Sequence, residues 1–257
     1  MHRAAAAVVL LLASLAPLPA DHVPVAAALA AEGRARTALL VDGERLDGLL
    51  EIEGLLDLDT VALGRRGLTI GGYWRPIPNL KLGAFYRLQA GVRHDDDWID
   101  LAPGWGWQDT RGRWESQVLV DASPRFALPF LPGGDWVFML KTRWHLNAFN
   151  GEQSLLVRPS LTWFWIRDRE PVLNVALSWD LYTPLNFGTT LLYEQYPYLT
   201  LLWHATPTLK LEASAAYRTV TWSPSADFLA AHPTETYAVP FRSFVVGAGV
   251  VVQLRQP

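Results

Sequence analysis

One stretch of the chain, LKLGAFYRLQAGVR from Leu80 to Arg93, alternates without a break between two kinds of residue. Every even position is leucine, alanine, tyrosine or valine, and the odd positions hold all the lysine, arginine and glutamine. A period of two predicts a β-strand with one apolar and one charged face. A soluble sheet packs its apolar face on a core, whereas a transmembrane barrel turns that face to lipid and the charges to its lumen.

The same alternation predicts ten strands from residue 46 onwards. They cover residues 46–58, 67–76, 80–93, 114–124, 136–147, 155–166, 172–182, 193–204, 209–221 and 242–254. The connections between them alternate in length. PIPN, RDREP and ATPT are short turns among the even-numbered connections, and two loops of about 20 residues are among the odd-numbered ones. We therefore predict an all-β fold, a closed antiparallel transmembrane β-barrel of about ten strands. Its short turns are periplasmic, its longer loops are extracellular, and its even strand number returns the chain to the starting side.

The composition excludes two other classes of protein. Hydrophobic residues make up 50% of the 257 residues, but no segment after the N-terminus runs 18 residues without a charge or a break, which argues against a helical membrane protein. The net charge is −3 and the basic residues are scattered, so we predict no nucleic-acid partner. The chain has no cysteine, which suits an oxidising compartment and excludes a disulfide framework.

The N-terminus predicts export. A basic pair, His2 and Arg3, precedes an apolar run that ends in small residues and prolines, which is typical of a secretory signal peptide. We assign residues 1–30 to this signal peptide, with cleavage after Ala20 or Ala30. Residues 31–45 are predicted to be a periplasmic lead and residues 46–255 the barrel.

Tryptophan positions support the barrel. Eight of the twelve tryptophans lie at strand ends with the phase of the apolar face, five next to short turns and three at the opposite ends, as two interfacial aromatic girdles require. In architecture, residues 46–255 resemble the bacterial outer-membrane β-barrel class. This resemblance implies location in the outer membrane, contact with its lipid and lipopolysaccharide, and assembly by the barrel-insertion machinery. The chain departs from that class at its end, VVVQLRQP, which lacks a terminal aromatic residue.

The charged face supplies the predicted lumen. Ten strands lie near the limit at which side chains fill a barrel, so both signs of charge should pair across it. This favours a structural or narrow-channel role without a cofactor and leans away from an enzyme. The predicted lumen-lining residues are Lys81, Arg87, Arg93, Glu115, Asp121, Lys141, Arg143, Arg158, Asp180, Glu194, Lys210, Glu212 and Arg218, accompanied by Glu51, Glu53 and Asp57.

Two alternatives remain open from the sequence. An outer-membrane hydrolase acting on lipid or peptide would use a site at the extracellular rim, with His145 as general base among Glu115, Asp180, Tyr182 and Glu194. A surface binding module would use the loop 94–113. In that loop the consecutive Asp95, Asp96 and Asp97 are a weak candidate for a divalent cation, because consecutive carboxylates of an extended chain diverge; a solvated acidic turn is the favoured interpretation.

Overall fold

The computed structural model describes residues 29–188, 191–234 and 239–255. The predicted signal peptide therefore lies almost wholly outside the described residues. No helix in these three ranges is long and apolar enough to cross a membrane. Thirteen strands form in the order β1 (Leu29–Asp42), β2 (Leu46–Asp57), β3 (Ala62–Ile77), β4 (Leu80–Ala90), β5 (Trp98–Asp100), β6 (Trp105–Trp107), β7 (Trp114–Ala127), β8 (Asp135–Asn147), β9 (Gln153–Arg167), β10 (Glu170–Pro184), β11 (Glu194–His204), β12 (Leu209–Trp222) and β13 (Val239–Arg255).

Eleven of these strands close into one barrel, which confirms the prediction of a closed barrel of about ten strands. Each strand pairs antiparallel with its neighbours in the chain, except at the seam, where β1 and β13 run parallel from Leu29 opposite Arg242 to Asp42 opposite Arg255. The barrel is therefore mixed, and the expectation of an even, wholly antiparallel set of strands is wrong at this seam.

The additional strand is β1, which the sequence analysis assigned to a periplasmic lead over 31–45. Its inward positions carry Glu32, Arg34 and Arg36, which alternate as those of the other strands do. The outward positions between them are alanine, glycine and threonine. These small residues give little hydrophobic contrast, which is why the strand was missed.

The outer wall of the barrel is apolar and the inner wall is charged. Ile52, Ile70 and Val120 are 57%, 54% and 47% exposed on the outside, and Trp74, Trp114, Trp165 and Trp203 are each about half exposed. Inside, Asp121, Asp180 and Glu115 are at most 3% exposed. This distribution is the inverse of a soluble domain and matches the predicted partition of faces.

The two rims differ in their connections. The turn rim carries residues 43–45, 78–79, 128–134, 168–169 and 205–208, while the loop rim carries residues 58–61, 91–113, 148–152, 185–188, 191–193 and 223–234. Two of these loops contain ordered structure. Loop 91–113 holds a 3₁₀ turn (Asp95–Asp97) and the β5–β6 hairpin, and the segment 223–234 holds the short helix α1 (Ala226–Ala231).

Candidate functional site

A band of ion pairs, which we call the central belt, lines the inner wall at the middle of the lumen. Arg143 binds Asp121 at 2.6 Å, and Arg158 binds Asp180 at 2.5 Å. Every cation of the belt has a carboxylate within 4.0 Å, as buried charges require. The belt consists of Arg36, Glu51, Asp121, Lys141, Arg143, Arg158, Asp180 and Glu212.

Aromatic rings fill the space between these pairs. Phe85 is 4% exposed inside the barrel, its ring is 4.9 Å from that of Tyr73, and the Arg143 guanidinium lies 5.1 Å from its centre. The Lys141 ammonium on β8 donates to the Tyr73 hydroxyl on β3 at 3.2 Å, which joins strands that are not neighbours in the barrel. A Cβ atom at Gly83 would stand 2.6 Å from the Phe85 ring, so glycine makes room for this aromatic filling.

The structure places the other predicted lumen residues on the inner wall as well. Near the turn rim Lys81 binds Asp47 at 2.8 Å, and nearer the loop rim Arg218 binds Glu194 at 2.5 Å. Lys210 lies on the same face of β12 as Glu212 and Arg218. Arg87 donates to the Thr69 hydroxyl at 3.0 Å.

At the loop rim a histidine joins two carboxylates in an arrangement that we call the rim clasp. His94 Nε2 is 2.9 Å from Glu115, and its Nδ1 is 2.8 Å from Glu152 in the next loop. Burial opposes the charge on His94, but the hydrogen bonds to these two carboxylates prevail and raise its pKa to about 10. At neutral pH both ring nitrogens therefore donate, and the clasp ties loop 91–113 to the barrel wall.

The clasp also occupies the carboxylate of Glu115 fully. Arg113 donates to it at 3.1 Å and Asn147 at 3.0 Å, in addition to His94. The side chain of Glu115 is completely buried among these donors. Such a carboxylate is a structural anion and has no free lone pair directed at a substrate.

The acidic run beside His94 does not form a cation site. Asp97 is bound by Arg113 through two hydrogen bonds of 2.6 and 2.7 Å, whereas Asp95 accepts from the Ser223 backbone N–H at 3.0 Å in a different loop. Among the described residues no group of three histidines, aspartates or glutamates is arranged to hold a metal ion. Burial raises the pKa of Asp95 to about 6.

The residues of the hydrolase alternative do not converge. Asp180 and Glu194 are bound to Arg158 and Arg218, each at 2.5 Å, and Glu115 belongs to the rim clasp. His145 is 7% exposed and its ring contacts Tyr182 at a centroid distance of 5.7 Å. In the described parts of the chain no side chain bonds to its Nε2, and no carboxylate is paired with its ring.

Above the central belt the lumen widens into a cavity of about 440 Å³, which we call the mouth cavity. Arg65, Arg87 and His145 lie on its wall together with Arg93. The remaining wall is mixed. The rings of Trp107, Trp222 and Phe241 lie among polar and acidic side chains, and the acidic ones are Glu32, Asp57, Asp109, Glu152 and Glu194. Cavities of this size and mixed lining are typical of small-molecule sites.

An apolar cluster of the two long loops closes one side of the mouth. Trp98, Trp222 and Phe228 are each at most 5% exposed, although they belong to a hairpin, a strand end and helix α1. The ring of Trp105 packs edge-on against Phe228 at 4.9 Å, and Trp107 packs against Trp222 at 4.7 Å. The loops are thus held by a small hydrophobic core at the rim.

No protein-family model and no curated protein matches the chain.

Several residues of the site were not predicted. Glu152 and Arg113 complete the rim clasp from loop positions that no local pattern distinguishes. Arg65 lies at a β-bulge, where the register of β2 and β3 shifts between Gly54 and Leu56. Arg65 shares the inward phase of Gly67 and Thr69, while Arg66 lies over the outward-facing ring of Trp114 at 5.2 Å. The predicted strand 67–76 begins two residues after Arg65, so the prediction did not include this residue.

Proposed function

We propose that this protein is an outer-membrane β-barrel with a charge-paired, largely filled lumen and a structural or narrow-channel role. The observation that carries the proposal is the inverted distribution of side chains, because a closed sheet with an apolar outer wall suits a bilayer. Lipid and lipopolysaccharide are the proposed partners of that wall, and the barrel-insertion machinery is the proposed partner during assembly. Cleavage of the signal peptide after Ala20 is favoured, because cleavage after Ala30 would remove the first two residues of β1.

The central belt supports a lumen that is closed to general diffusion. Ion pairs link neighbouring strands, Phe85 lies beneath Arg143, and the Lys141–Tyr73 hydrogen bond crosses between separate strands. Only ions or very small solutes can pass through such a lumen. A general diffusion pore needs about 16 strands to leave an aqueous channel.

Two measurements test this proposal. Membrane fractionation should leave the protein insoluble without detergent, and the detergent-extracted barrel should change its gel mobility on heating. Purified protein in planar bilayers should give no conductance or only small steps. Recovery in the aqueous fraction, or large porin-like steps, would contradict the proposal.

A matched pair of variants sharpens the conductance test. Phe85→Ala removes an aromatic ring from the lumen without stranding a charge, so it should raise the conductance. Phe126→Ala removes the same ring from the outer wall, where Phe126 is 52% exposed, and should leave conductance unchanged. Equal effects of the two variants would show that the rings of the belt do not close the lumen.

A further inference from the structure

The mouth cavity contains three arginines that have no carboxylate within ion-pair distance among the described residues. The acidic residues of the same wall have other partners: Glu194 binds Arg218, Glu152 binds His94 and Asp109 binds Arg111. Glu53, which is bound by Arg34, acts on Arg65 and Arg87 only at longer range. Arg65, Arg87 and Arg93 line the cavity, and no carboxylate oxygen of the described residues forms an ion pair with any of them. Arg87 has one hydrogen bond, from its Nε to Thr69, and Arg93 lies 5.5 Å over the ring of Trp107. Each arginine of the central belt, in contrast, has an acidic partner.

A second polar group of the cavity wall also lacks a partner. The Nε2 atom of His145 is buried, and no described residue bonds to it. Asn147 on β8 lies level with Gln117 on β7 and Arg87 on β4. His145 is two residues from Asn147 on the same face of β8, on the side of the central belt, so it lies close to the level of Arg87. A buried ring nitrogen without a partner costs free energy unless something else satisfies it.

One side of the cavity is lined by packed aromatic rings, and the Arg93 guanidinium lies over two of them. Trp107, Trp222 and Phe241 contribute rings that pack against one another at 4.7 and 5.7 Å. Trp222 is only 4% exposed and is fixed by the loop cluster. The rings of this wall offer a surface for a ring or a short hydrocarbon chain, and the buried indole N–H of Trp222 has no partner among the described residues.

We propose that the mouth cavity binds a small organic carboxylate, with its anionic end at Arg65, Arg87 and Arg93 and its apolar part against the aromatic wall. Guanidinium groups bind carboxylates through paired, charge-assisted hydrogen bonds, which fits three arginines that have donors to spare. His145 Nε2 supplies a further hydrogen bond at the floor. The inference deepens the proposed function and rests on it, because it assigns an occupant to the mouth of the same closed lumen.

Calorimetry of the folded protein in detergent micelles tests this site, with benzoate as the probe. Benzoate should bind, benzamide should bind at least about tenfold more weakly because it has no charge, and inorganic phosphate should also be weaker because it leaves the aromatic wall uncovered. Failure of benzoate to bind at millimolar concentration would overturn the proposal. Phosphate binding as tight as that of benzoate would overturn the role of the aromatic wall.

Neighbouring arginines provide matched variants. Arg65→Gln should lower the affinity for benzoate about tenfold to a hundredfold, as the loss of a charge-assisted hydrogen bond predicts. Arg66→Gln removes the same charge one residue away on the outer wall and should leave the affinity unchanged. Two results would contradict the site. One is an equal loss of benzoate affinity in both single variants, and the other is an unchanged affinity in the double variant Arg65→Gln/Arg93→Gln.

The outcome for this site is separate from the outcome for the proposed function. Binding in micelles needs neither a bilayer nor conductance, and heat-dependent gel mobility reports folding of each variant. If the barrel is folded and needs detergent for extraction from the membrane but does not bind benzoate, only the carboxylate site is refuted. A protein that stays soluble without detergent and binds benzoate would refute the membrane proposal alone.

Discussion

The central belt and the mouth cavity are built from the same kinds of side chain, yet they treat charge in opposite ways. In the belt Arg143 and Arg158 each have a carboxylate at 2.6 Å or less. Closer to the loop rim, Arg65 and Arg87 have no carboxylate within ion-pair distance among the described residues, although Arg218 of the same cavity binds Glu194 at 2.5 Å. The difference teaches that a lumen narrow enough to exclude solvent requires internal pairing, whereas a wider one tolerates cations that water or a ligand can satisfy.

The largest effect should come from breaking a belt pair. Asp121→Ala leaves Arg143 without its counter-charge and takes the carboxylate from Lys141, both 8% exposed, so we expect a loss of about 3–5 kcal/mol in the free energy of unfolding. Urea titration in lipid vesicles measures it.

The control for this variant is Asp109→Ala. Asp109 pairs with Arg111 on the surface of loop 91–113, where both side chains are more than half exposed. Its removal should leave the unfolding midpoint unchanged. If the two variants lose the same stability, the belt pairs do not stabilise the barrel more than surface pairs do.

A smaller loss should follow from crowding the belt. Gly83→Ala places a Cβ atom 2.5 Å from the Asp121 carboxylate and 2.6 Å from the Phe85 ring, which should cost about 1–3 kcal/mol. Gly104→Ala in loop 91–113 meets nothing within 4 Å and serves as the control. A stable Gly83→Ala protein would mean that the aromatic filling is loose, and the contrast with the mouth cavity would weaken.

The rim clasp should make the loop above the mouth sensitive to alkaline pH. The pKa of His94 is about 10 in the folded protein and near 6.5 in an unfolded chain, so its contribution is complete below pH 6.5 and is lost as the pH rises towards 10. Cleavage of loop 91–113 by a protease, corrected for the rate on denatured protein, should rise about tenfold or more over this range.

His94→Gln is the matched variant, because it can still donate one hydrogen bond but cannot titrate. Its loop should be cleaved faster at pH 6.5 than that of the wild type, and the rate should hardly change with pH. Wild-type cleavage that is independent of pH would show that His94 does not hold the loop.

The smallest effect is expected at Asp95. Its pKa of about 6 exceeds that of an unfolded aspartate near 3.9, so its ionisation costs stability as the pH rises from 4 to 6. Asp95→Asn keeps the oxygen that accepts from Ser223 and should equal the wild type or gain up to about 1 kcal/mol at pH 7. A clear loss in thermal unfolding at pH 7 would show that the negative charge itself is needed.

The sequence alone predicts the wall of this barrel better than its site. Alternation of period two identifies ten strands and the inward positions of Arg87, Arg143 and Asp180, because pleating ties side-chain direction to residue number. It misses β1, whose outward residues are small, and Arg65, which lies just before the predicted strand 67–76. The pairing of Glu152 with His94 depends on which loops meet at the rim. Local periodicity in the sequence does not predict contacts between loops.

The parallel seam between β1 and β13 has a topological consequence. Because the first and last strands point the same way, the polypeptide enters the wall at the loop rim and leaves it at the turn rim. Two halves of a split fluorescent reporter, one joined directly to Leu29 and one to Arg255, would be held on opposite sides of the barrel and could not complement each other within one molecule.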